Sequence, residues 1–197
     1  MSSEVHITKP AAAQRQIDAA IRIYFSGEDQ LAVHTIVAAA HGILVNLDEK
    51  RGKPIMNDVY AEALEKVIDK LQLKKISNAE IAQNVPSFKA FIQGMRRKPG
   101  NFLKHADRDP HKSLDASTLG TEHLLLEACT LYKELGLKTT REMYTYARWH
   151  LAVYPHLESD KMKTDIGYLH ELPHDTQLQV GKFLLERLAE RSIADQL

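Results

Sequence analysis

The chain has one cysteine, Cys129, among its 197 residues. A lone thiol closes no intrachain disulfide and builds no cysteine-only zinc site, which suits a reducing compartment. Turn formers are also scarce. Nine glycines and seven prolines fall below the usual shares of ~7% and ~5%, which disfavours a fold of many short strands. Net charge is missing too, since 26 Lys and Arg balance 26 Asp and Glu. A neutral chain has no strong overall attraction for polyanions, so any such ligand must be recognised locally. Apolar residues are plentiful at 44%, enough to build a core and to exclude disorder of the whole chain. The length suits one compact domain.

Several catalytic signatures are absent. There is no Gly-x-Ser-x-Gly elbow, no phosphate-binding Walker loop and no Gly-x-Gly-x-x-Gly turn, which removes weight from the large enzyme classes built on them. Cys129 sits in the apolar run Leu124-Leu-Leu-Glu-Ala-Cys-Thr-Leu131, where a thiol behaves as a small hydrophobe. Residues 1–10 lack a basic stretch followed by an apolar one and are expected to be a flexible N-terminus without a secretory signal. Gln30 to Leu47 carries no Lys, Arg, Asp or Glu and is near the lower length limit for a bilayer crossing. Its Gln30, His34, Thr35, His41 and Asn46 make it too polar for a lone membrane span, so it is expected to be a central helix of a soluble bundle.

The helical period recurs along most of the chain. Ile17, Ala20, Ile21, Tyr24 and Phe25 predict an amphipathic helix over 11–25, closed by Ser26-Gly27. Asp29 caps the uncharged helix, and Val59, Ala63, Val67 and Leu71 predict another from about 57 to 73. Between 74 and 120 the pattern breaks into short pieces around Pro86, Pro99 and Pro110, because proline cannot continue a helix. Regularity returns with a helix from Thr121, as its cap, to Leu135, ended by Gly136. A further helix runs from a Thr139 or Thr140 cap to about Val153, stopped by Pro155. The last spans 176–191, with Leu178, Val180, Phe183, Leu184 and Leu188 facing inward. The expected architecture is all-α, a bundle of about six to eight helices in one domain over 11–197.

Three constellations are candidates for function. His34 and His41 share a face of the uncharged helix, but seven residues separate them by about 10 Å, too far for one metal ion. Each is expected to be a partly buried histidine bonded to a neighbour. Arg96 to Lys112 holds six Lys or Arg against two Asp, a local surplus of four positive charges in a neutral chain. Its donors suit a phosphate, and Phe102 suits a base or the core. Within it His105, Asp107, Asp109 and His111 alternate; on an extended strand they would share a face and admit a divalent cation, with Glu122, His123 and Glu127 the nearest further ligands. The same aspartates are good turn formers before Pro110. The third constellation is Tyr144, Tyr146, Trp149, His150, Tyr154 and His156, whose helical spacing predicts core or a homodimer interface rather than base stacking.

Ala20-Ile-Arg-Ile-Tyr-Phe25, the His34-to-His41 helix, Asn101-Phe-Leu-Lys-His-Ala-Asp-Arg-Asp-Pro110 and Glu122-His-Leu-Leu-Leu-Glu-Ala-Cys-Thr-Leu-Tyr132 together resemble a group of bacterial all-helical proteins. The resemblance covers roughly 16–153 and implies a cytoplasmic protein. Gly100-Asn-Phe-Leu-Lys-His105 also resembles HEPN-type helical domains, whose ribonuclease members carry Arg-polar-x-x-x-His late in a bundle. Here Gly100 stands at the arginine position. The resemblance implies RNA or a nucleotide as partner, with His105 as general base and Asn101 orienting the substrate. Lys104, Arg96, Arg97 and Arg108 would hold phosphate, and no cofactor is required.

Overall fold

The computed structural model describes residues 6–52, 54–56, 61–62, 83–84, 86–87, 90, 94, 99–103, 111, 113–116, 119–155 and 168–194, with side chains as far as 187. Among these the chain is all-helical. Five α-helices are delimited: α1 Lys9–Phe25, α2 Gln30–Glu49, α3 Thr121–Glu134, α4 Arg141–Val153 and α5 His174–Ala194, with a 3-10 turn at Leu169–Glu171. Two compact units divide the chain, residues 1–44 with 120–197 and residues 45–119.

Local chemistry sets the helix boundaries of the first unit. Thr8 caps α1, its hydroxyl accepting from the Ala11 amide at 3.3 Å, and Pro10 falls in the first turn, where its missing N–H costs nothing. α1 thus starts inside the stretch expected to be flexible. Asp29 accepts from the Leu31 amide at 2.7 Å at the entry to α2, as its position before the uncharged run predicts. Thr140 caps α4 by accepting from the Met143 amide at 3.2 Å. Thr121 does not cap α3; Gly120 does, in the left-handed region at φ 58°, and Thr121 becomes the first helical residue. α3 ends at Glu134 with Leu135 as its C-cap, and Gly136 follows at φ 77°, a conformation open to glycine without strain.

α1 packs on α3, α4 and α5, and α4 on α3, α5 and the 3-10 turn. Ala13, Ile17, Ala20, Ile21, Tyr24 and Phe25 make the buried stripe of α1. At its end Tyr24 and Phe25 meet Tyr146 and Trp149, with ring centroids 5.2 to 5.7 Å apart, the separation at which edge-to-face contacts are favourable. The Trp149 indole N–H donates to the Gln177 carbonyl at 2.7 Å. Gln177 in turn donates to the carbonyls of Leu169 and Leu172 at 3.1 and 2.9 Å, which binds the 3-10 turn to α5. Gly181 lies so close to Phe25 that a Cβ there would run into the ring.

That contact explains one departure from expectation. Phe183 is 53% exposed instead of inward. The inner face of α5 runs through Leu178 and Gly181, and Phe183, two residues past Gly181, points about 200° away at 100° per residue. Its ring stacks beneath Arg187 instead, with Cζ 5.3 Å from the centroid.

In the second unit the expected 57–73 helix lies largely outside the described residues. At its near end Asp48 is wholly buried, and its two carboxylate oxygens accept from the amides of Ile55 and Met56 at 2.9 and 3.0 Å. A carboxylate so placed satisfies two N–H groups at the start of a helical turn and complements its dipole.

Candidate functional site

Of the basic segment, residues 99–103 are helical. Pro99 is buried, Phe102 and Leu103 are half-buried and Asn101 is exposed, so the piece is anchored on one side and presents the Asn101 amide to solvent. His111 lies in an exposed turn. Arg96, Arg97, Lys104, His105, Asp107, Arg108 and Asp109 lie outside the described residues, and so does any cation site they would form with His111.

The first unit assembles a second polar constellation where α3 faces α1, α2 and α4. His34 is 1% exposed and its Nδ1 lies 3.3 Å from the Thr121 hydroxyl. Burial pushes its pKa below the usual histidine value. His41 Nε2 meets Glu127 Oε1 at 3.0 Å. Both histidines therefore have the neighbours their pattern predicts. The pairs run 34 to 121 and 41 to 127, which makes α2 and α3 parallel at this contact.

Glu122 collects three tyrosines. Tyr154 donates to its Oε2, Tyr146 donates to its main-chain carbonyl at 3.0 Å, and the Tyr24 phenol lies beside its carboxylate. Burial first, then the negative Glu122, hold the Tyr24 and Tyr154 phenols well above the usual tyrosine range. Burial does the same for Tyr146. All three phenols are neutral at physiological pH; Tyr146 and Tyr154 donate to Glu122, while the buried Tyr24 hydroxyl sits beside it without a hydrogen bond of its own among the described residues. Next to them His123 Nδ1 faces His150 Nε2 at 3.2 Å, a contact in which one nitrogen donates and the other accepts. His123 is exposed and His150 fully buried; the Tyr154 ring covers His150 at 4.7 Å.

Of the stripe, Tyr146 and His150 are fully buried and Tyr154 is half-buried, and the three are engaged by packing, Glu122 and His123. Of the aromatic stretch, Tyr144 is the exposed member among the described residues, at 55%. Among the described residues no three His, Cys, Asp or Glu side chains are placed to share a metal ion. Cys129 is buried, and burial pushes its thiol far above the usual range, which leaves it without thiolate character. The convergence on Glu122 had a partial signal in the sequence, the adjacent Thr121, Glu122 and His123, but the contribution of Tyr24 from α1 is tertiary. The pair of buried Asp18 and half-buried Thr140, with the hydroxyl donating to Oδ1 at 2.6 Å, carried no such signal.

Compared with family models, curated proteins and solved structures, the chain matches none.

Proposed function

We propose that this chain is a cytoplasmic protein that binds RNA or a nucleotide phosphate through residues 96–108, with or without cleavage. The observation that carries this reading is the surplus of four positive charges between 96 and 112 in a chain of zero net charge. The exposed Asn101 on its anchored helical piece supports it. Arg96, Arg97 and Arg108 clamp phosphate oxygens, for which the planar guanidinium fork is suited. Lys104 supplies a point charge and Asn101 an orienting amide. In the cleaving form His105 is the general base that takes the proton of an attacking hydroxyl. Gly100 supplies no cation, so stabilising the phosphorane falls to the neighbouring arginines or Lys104.

The test is a binding titration of mixed-sequence RNA at low salt, with the wild type beside a Lys104→Ala, His105→Ala double variant. Saturable binding weakened in the double variant is expected. No binding, or equal binding by both proteins, contradicts the proposal.

A second reading, a homo-oligomeric interaction protein without chemistry, is favoured by the exposed rings of Tyr144 and Phe183. Aromatic side chains are enriched at such interfaces. Light scattering that returns a monomer at all concentrations contradicts it.

A further inference from the structure

A cleft of about 300 Å³ lies in the first unit between the end of α1, the start of α4 and the middle of α5. Phe25 and Leu185 give its lining apolar surface, and Arg22, Arg141, Lys182, Glu142 and Glu186 give it charge. Three cations thus meet two carboxylates, a surplus of one positive charge. Glu142 is the hub: its Oε1 accepts from an Arg22 guanidinium nitrogen at 3.0 Å and lies 3.8 Å from one of Arg141. Its side chain is 16% exposed, against 55% and 37% for the two arginines. A mostly buried carboxylate therefore holds two more exposed guanidiniums at one end of the cleft. Each guanidinium has five N–H donors in a planar fork, and these contacts use few of them.

We propose that this cleft binds a small organic monoanion, a carboxylate carrying a compact apolar body. The carboxylate is received by the free fork edges of Arg22 and Arg141 with Lys182 nearby, and the body lies on Phe25 and Leu185. Three features of the cleft select this class. Planar forks match a carboxylate in two-point contact. Apolar lining from Phe25 and Leu185 lowers the local dielectric and strengthens an ion pair formed beside it. A surplus of one charge matches one negative charge. The volume holds about ten water-sized groups at ~30 Å³ each, the scale of phenylacetate. No residue of the cleft belongs to 96–108, so this site is independent of the RNA reading.

The test is calorimetric or NMR titration of the full chain with phenylacetate, phenyl phosphate and benzyl alcohol. Saturable one-site binding of phenylacetate is expected, weakened at least about tenfold in an Arg141→Gln, Lys182→Gln variant, as loss of charge-assisted contacts requires. Glu186→Gln raises the cleft charge without removing a donor and is expected to tighten binding. The Lys104→Ala, His105→Ala variant is expected to bind phenylacetate as the wild type does. Failure of phenylacetate to bind, or equal affinity for the neutral benzyl alcohol, overturns the proposal. Tighter binding of phenyl phosphate overturns the match to a monoanion.

Discussion

Glu122 shows how a single residue can organise a polar cluster from three helices. It accepts from Tyr154 through its side chain and from Tyr146 through its main chain, with Tyr24 beside it. Glu122→Gln keeps the shape and removes the charge that strengthens the Tyr154 bond, leaving the main-chain bond from Tyr146 in place. It is expected to lower stability by about 1–3 kcal/mol, read from the urea midpoint. His34 adds a pH dependence of known sign. Its folded pKa lies below the ordinary value, so the unfolded chain takes the proton first. The stability it contributes is complete above pH ~6.5 and falls as the pH drops below that value. A His34→Leu variant is expected to lose less stability than the wild type between about pH 6.5 and 5, in thermal melts across that range. Asp18 has the opposite sense. Burial raises its pKa above the usual aspartate value of 3.8, with the Thr140 hydrogen bond partly opposing. Its favourable contribution is therefore present below that pH and is lost as the pH rises through the folded value. Asp18→Asn still accepts from Thr140 and is expected to be more stable than the wild type at pH 7, an advantage that vanishes in acid.

At the level of elements, α1, α2, α3 and α4 were legible to within a few residues because each couples a helical apolar period to a recognisable cap or terminator. The cap of α4 was readable only as Thr139 or Thr140, and the second bond of Thr140, to Asp18, not at all, because 122 positions separate the two residues. Thr140→Ala is expected to cost about 1–2 kcal/mol through the cap alone, with Thr140→Ser largely restoring it. α5 was the least well read: periodicity put Phe183 inside, whereas Gly181 takes the inner position through its close approach to Phe25. Such an approach has no signature in an isolated glycine. Gly181→Ala improves helix propensity by up to ~1 kcal/mol, yet steric crowding in a packed core costs about 1–3 kcal/mol. The net effect is expected to be destabilising, and Phe25→Leu in the same chain should recover part of the loss in a thermal melt. α2 is long and apolar enough to cross a membrane by length and composition. Only 28% of its apolar window is buried, along the one stripe of Val33, Val37, Ala40 and Leu44, so among the described residues α2 packs along one face and is not covered on several sides as a central helix would be.

For the whole molecule, the zero net charge conceals an uneven distribution. The all-helical class followed from few turn formers and a dominant 3.6-residue period. The histidine partners followed only as a type, because a sequence shows that a buried imidazole needs a bond without showing which helix supplies it. Thr121 and Glu127 are therefore known from the structure alone. In the basic segment the sequence shows the charge surplus and the structure the exposed Asn101, while all four residues assigned to phosphate, Arg96, Arg97, Lys104 and Arg108, lie outside the described positions. The cleft of Arg22, Arg141 and Lys182 had no linear signature, since its cations come from three helices. The central claim, that a neutral chain meets a polyanion at one small basic site, is tested most directly by the salt dependence of RNA affinity. A site engaging about four phosphates predicts a log–log slope near −3, at ~0.7 per phosphate on a single strand; absence of binding at low salt, or affinity indifferent to salt, would contradict it.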